Sequence, residues 1–272
     1  MLRLESETGW WLVTHPDHAH LAGDFAAAWG NDRFLPPEPR RNVLLGIRCH
    51  DDGWAARDAK PQITREGKPS AFSTELVGKY SAFEEIDLED YLAVRDRAVR
   101  LIAEEDAYAG LLVSMHTYNL LTERADRSTI RPEQLPLLDG FLAAQRDLRA
   151  GLLRRIRADA FSEEETSETR IVDHFRLLQA TDNLSLLSCV GFGMPGTLLH
   201  PLPLRDGSYS EVKVEPIGNR HFRLRPCPLR EPSMVFQFPA RHVEGKRFRN
   251  AAELQEELAA APVAYLSVLV SE

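Results

Sequence analysis

The chain has 272 residues, 43% of them hydrophobic and 27% charged, enough to bury a full core without disulfides. Its 41 acidic against 33 basic side chains leave a formal charge of −8, which argues against a nucleic-acid-binding surface while allowing a local basic pocket for a phosphate. No run approaches the roughly 18 apolar residues of a membrane span, the first residues lack a secretory pattern, and the three cysteines are widely spaced. A reduced, cytoplasmic protein is expected, with its oligomeric state left open.

Gly9 to Thr14 is short, aromatic and β-branched and predicts a strand. Pro16 suits a first helical turn, and a helical apolar stripe runs to Trp29 before Gly30-Asn31-Asp32 stops it. A second helix is expected from about Arg41 to Asp51, followed by an irregular loop from Gly53 to Glu85. Asp87 caps a helix over about Leu88 to Glu104, and others follow over Asp106 to Leu121, Pro132 or Pro136 to Ala158, and Ser167 to Val190. After Gly191, prolines and glycines punctuate short β-prone runs at Glu211, His221, Met234 and Ala264, with one helix over Ala251 to Ala260. The expected fold class is mainly α: a helical unit over residues 1–190, with a β-rich (α+β) subdomain over residues 191–272 packed on it.

Helical phase separates inward from outward positions among the nine histidines and the acids. His18 aligns with Leu21, Ala22, Phe25 and Trp29 and so points inward, whereas His20 falls with Asp24 on the solvent side. His15 precedes that helix and remains a second candidate. Asp51 shares a face with Leu44 and Ile47, and His116 shares one with Leu112, Val113 and Leu120. Asp182 interrupts the apolar stripe of Phe175, Leu178, Leu186 and Cys189, while His174 sits two turns before it, about 12 Å away along the axis. A single inward histidine is more often a hydrogen-bonded core residue, and a buried aspartate commonly caps a helix or pairs with a base. Inward polar groups on four separate helices are explained together by metal binding, because a buried carboxylate without a positive partner is costly. Imidazole and carboxylate ligands suit Fe, Mn, Zn, Co or Mg.

The order His18, His50-Asp51, Asp182 resembles the H…HD…D signature of the HD-domain superfamily of metal-dependent phosphohydrolases. The segments from Asp17 to Gly23, Leu44 to Gly53 and Leu178 to Leu186 resemble that superfamily's ligand-bearing helices. A longer pattern, with Trp29-Gly30, the run from His50 to Trp54, Ser114-Met115-His116 and the run from Asp182 to Cys189, is similar to an uncharacterised bacterial family of about this length.

The resemblance implies an HD-domain-like helical bundle with His18, His50, Asp51 and Asp182 as metal ligands. Extra histidines between the HD pair and the last aspartate often hold a second metal in that superfamily, and His116 is the single good candidate here. One or two ions therefore remain open. Asp52 is a candidate general base beside the metal, with a surface acid at a helix end as its plain alternative, and His116 is the other candidate catalytic group. The implied chemistry is hydrolysis of a small anionic phosphate ester, a nucleotide being one option, by a metal-activated water. Arg48, Lys60, Arg65, Lys68 and Lys79 could contact the phosphate, and Trp54 could stack on a ring or plug the core. The competing readings are an HD-like di-iron oxygenase and a non-catalytic metal- or ligand-binding protein.

Overall fold

A computed structural model describes residues 1–79, 87–159 and 161–272. In chain order it contains β1 (Leu2–Glu5), β2 (Gly9–Val13), α1 (His15–Ala28), α2 (Arg40–Arg48) and the short α3 (Ala55–Asp58). Four longer helices follow, α4 (Leu88–Glu105), α5 (Ala107–Glu123), α6 (Leu135–Ala158) and α7 (Glu168–Val190). The last part holds β3 (Gly196–Thr197), β4 (Leu202–Pro203), β5 (Tyr209–Ser210), β6 (Lys213–Gly218) and β7 (His221–Arg225), then β8 (Ser233–Glu244), α8 (Ala251–Ala260) and β9 (Val263–Ser271).

The helix starts follow from their caps. Thr14, Asp87, Asp106 and Ser167 each accept a hydrogen bond from a backbone N–H in the first turn of α1, α4, α5 and α7. These bonds satisfy amides that otherwise have no partner within the helix. α7 ends at Gly191, whose φ of 63° is the left-handed conformation that a side chain disfavours.

The expectation of a mainly α protein is corrected: the chain is mixed α/β, 50% helix and 21% strand. A large curled sheet runs β1-β2-β8-β9-β7-β6-β3, and β4 and β5 pair separately. Pairing is antiparallel except between β7 and β9. The strands at the chain's start are the cause of the difference. β2 pairs with β8, Trp11 opposite His242, so the sheet takes strands from both sides of residue 190. Period-two burial in β8 and β9 turns Phe236, Phe238, Leu266, Val268 and Val270 to one face. α1 lies on that face, where Phe25 meets Phe236 edge to face at 4.7 Å between ring centroids, and α7 packs against β1. Full burial of such a side chain stabilises the fold by about 1.5–3 kcal/mol.

α2 is shorter than its sequence suggests. It ends at Arg48 with Cys49 as its cap, so His50 and Asp51 lie in the turn that follows. That turn becomes a 3-10 segment over Asp52–Trp54 and runs into α3. The region expected to be an irregular loop is partly ordered, with bridges from Ile63 to Pro69 and from Phe72 to Leu2, and a 3-10 turn over Thr74–Leu76. Its last residues, 80–85, lie outside the described residues.

Candidate metal centre

Four parts of the chain meet at one buried point. α1 carries His18, the turn after α2 carries His50 and Asp51, α5 carries His116, and α7 carries Asp182. All five are buried, from 0% exposure at His50 to 8% at Asp182. His18 Nε2 bonds Asp182 Oδ1 at 3.2 Å, and His50 Nε2 lies 3.3 Å from the same oxygen. Asp51 Oδ2 is 3.8 Å from His18 Nε2 and 4.0 Å from His50 Nε2, and His116 Nε2 is 3.9 Å from Asp182 Oδ2. Two sets of donors, His18–His50–Asp51 and His50–His116–Asp182, each fall within 4.8 Å. Ligands about 2.1 Å from an ion stand roughly 3–4 Å apart around it, which is the spacing found here.

The main chain decides which nitrogen of each histidine faces the centre. The Nδ1 of His18 is 2.5 Å from the His15 carbonyl, and that of His50 is 2.7 Å from the Ile47 carbonyl. A carbonyl only accepts, so each Nδ1 carries the proton and each Nε2 is turned inward, as in histidines that bind metal. Among the described residues, the buried His50 Nε2 has no hydrogen-bond partner, a cost in energy that a bound cation would remove.

The charges fit the same conclusion. Burial would lower the His50 pKa, but Asp51 and Asp182 overcome it and push it up to about 9, so a proton balances the acids. Burial would raise both aspartates; Arg95 holds Asp51 well below the usual range, and the hydrogen bond from His18 with the charge of His50 beside it does the same for Asp182. His116 is pushed down to about 3, chiefly by burial.

Arg95, which sequence reasoning missed, is the positive partner that the inward face of Asp51 demanded. Its Nη1 meets Asp51 Oδ1 at 2.5 Å, its Nε donates to the Tyr91 hydroxyl at 3.2 Å, and its guanidinium lies over the rings of Trp54 and Tyr91. The contact depends on Gly53. A Cβ there would fall 2.6 Å from the Val94 carbonyl oxygen and 2.8 Å from the Ala98 methyl, so glycine lets the turn lie directly on α4. One hint was legible: Leu88, Tyr91 and Leu92 place Arg95 on the apolar face of α4.

Other candidates lie apart from the cluster. Asp52 belongs to neither donor set; it is half-buried and faces His20 at 3.9 Å, and burial raises its pKa. His15 turns to Asp58 at 2.9 Å and stacks on Trp54, which plugs a core with Leu88, Leu121 and Leu142. His174 bonds Tyr108 at 2.7 Å. Arg48 pairs with Asp24 and Lys68 with Glu66, while Lys60, Arg65 and Lys79 are exposed.

A polar chain that the sequence did not suggest lies one helical turn from His116 and Asp182. Gln179 of α7 donates to Asn119 of α5 at 2.8 Å and accepts from His200 at 2.5 Å. His200 adopts a φ of 65° before β4. Burial lowers its pKa, and Arg176 and Arg124 lower it further.

The profile of a family described as "protein of unknown function (DUF3891)" matches residues 1–245. The chain belongs to that family. The matched span contains all five donors and Arg95. No curated protein and no solved structure matches the chain.

Proposed function

We propose that this DUF3891 chain is a divalent-metal-dependent hydrolase of small phosphate esters, related in its site to the HD-domain superfamily. The observation that carries the reading is the convergence of three imidazoles and two carboxylates, separated by up to 164 residues of sequence, at 3.2–4.0 Å. Nitrogen and oxygen donors without thiolate suit Fe, Mn, Zn, Co or Mg. A bound ion would supply a water acidic enough to attack at neutral pH and a Lewis acid for the phosphoryl oxygen.

The chain's residues have distinct tasks in this reading. His18 and His50, held at Nδ1 by main-chain carbonyls, present fixed nitrogen ligands, and Arg95 orients Asp51. Asp182 is the most exposed of the five and marks the side that substrate approaches. One helical turn from Asp182, Gln179 accepts a hydrogen bond from His200, a polar group that could meet an anionic substrate. Asp52, facing His20 and set apart from the donors, is a weaker candidate for the base than a group inside the cluster.

The depth of burial favours one further reading, a structural ion that ties the helices together, because closed sites are structural and catalytic sites keep a position open. Metal analysis of protein purified without chelator, followed by a panel of phosphomonoesters and phosphodiesters, separates the two. Turnover that disappears in Asp51→Asn and Asp182→Asn, with the fold retained by circular dichroism, supports the hydrolase. Stoichiometric metal without turnover of any ester supports the structural ion. Two irons with oxygen consumption would mark a di-iron oxygenase instead.

A further inference from the structure

We propose that Arg95 occupies the place of a second cation, so that this site holds one metal ion per chain. The inference rests on the metal-binding reading above and concerns how many ions the donors accept.

A carboxylate that bridges two ions gives one oxygen to each. Asp51 has only one oxygen to give. Oδ2 faces His18 and His50 at 3.8 and 4.0 Å, whereas Oδ1 is taken by the Arg95 guanidinium at 2.5 Å. A guanidinium keeps its proton under any physiological condition and offers no lone pair to a metal. Nor is this one free to swing aside. Arg95 is 7% exposed, tied to the Tyr91 hydroxyl, and packed over two aromatic rings. Its fixed positive charge stands where a second divalent ion would have to approach.

The two donor sets do not amount to two sites, because they share His50. The Nδ1 of that ring is committed to the Ile47 carbonyl, which leaves Nε2 as its one coordinating atom. One imidazole nitrogen binds one ion. In the one-ion reading the two sets would belong to a single shell, with Asp182 facing His18 and His50 through Oδ1 and His116 through Oδ2. His116 would then complete the surroundings of that one ion.

The test counts ions on the full chain. Protein stripped with chelator is dialysed against excess Mn²⁺, and bound manganese is measured by mass spectrometry and electron paramagnetic resonance. One Mn²⁺ per chain with an uncoupled six-line spectrum is the expected result. Two per chain with an exchange-coupled spectrum would overturn the proposal and leave the metal reading standing. No binding of Mn²⁺, Zn²⁺, Fe²⁺ or Co²⁺ would instead overturn the metal reading itself. Arg95→Lys keeps the charge and is expected to bind one ion, whereas Arg95→Ala frees Oδ1 and raises the count toward two. A folded Arg95→Ala variant that still binds one ion with unchanged affinity would remove Arg95 as the cause. The parent's count decides the number of ions even where Arg95→Ala does not fold.

Discussion

Asp182→Asn separates a metal centre from a buried ion-pair network most cleanly. The substitution keeps the side chain's shape and removes the charge that faces His18, His50 and His116 at 3.2, 3.3 and 3.9 Å. A cation present at a hundred times its dissociation constant stabilises the folded parent by about 2.7 kcal/mol. For a chain of 272 residues the unfolding entropy is on the order of 0.6 kcal/mol/K, which makes this a rise of about 5 °C in the unfolding midpoint. Loss of a carboxylate ligand is expected to weaken binding by at least about a hundredfold, since even groups behind the ligands are worth about 10- to 100-fold. At the same metal concentration the variant then gains only about 0.4 kcal/mol, less than about 1 °C. The assay is differential scanning fluorimetry of parent and variant, each with chelator and with Mn²⁺, Zn²⁺, Fe²⁺ or Co²⁺. Each protein serves as its own reference, so the cost of the substitution to the metal-free fold cancels. A parent midpoint that responds to none of the ions, or a variant that responds as strongly as the parent, would refute the reasoning.

Gly53→Ala is expected to cost about 1–3 kcal/mol, because its methyl would press on the Val94 carbonyl and Ala98; the urea midpoint should fall and metal affinity with it. Gln179→Ala would leave Asn119 and His200 without their bridging amide, at a cost of about 1–3 kcal/mol, while the count of bound metal stays that of the parent. His174 carries a pH prediction away from the metal ligands. Burial, with a smaller contribution from Arg170, lowers its pKa to about 4 in the folded state against 6.5 for the free side chain. The unfolded chain therefore takes up the proton first. Stability should fall as pH drops from about 6.5 toward 4, by up to about 3 kcal/mol from this group, and should not change above that window. Urea titrations at several pH values should show a shallower slope for His174→Gln; an equal slope would place the effect elsewhere.

Periodicity and end signals were enough to locate most helices, because both are local. Asp87 caps where it was expected to, the last long helix begins next to Ser167 and ends at Gly191, and α8 spans Ala251–Ala260 as read from the sequence. Helical phase also placed His18, His116 and Asp182 on buried faces, since the burial of a helix face is written into its own residues. What depends on distant partners was not legible. β1 is four residues long, and it and β2 become part of the large sheet only through β8, more than 200 residues later, which is why the mainly α expectation failed. His50 and Asp51 were rightly expected to be buried although α2 stops before them, so their direction comes from the turn resting on α4 rather than from helical phase.

The sequence by itself determined which residue types are available and which faces turn inward: histidines and aspartates at positions where apolar residues would otherwise stand. Only the tertiary structure decided that these faces meet at one point, that Arg95 rather than a loop lysine answers Asp51, and that Asp52 stands apart facing His20. The physical reason is range. Helical phase and capping act over a few residues, whereas the charges of a buried cluster are balanced by whichever groups the packing of separate helices brings within about 4 Å.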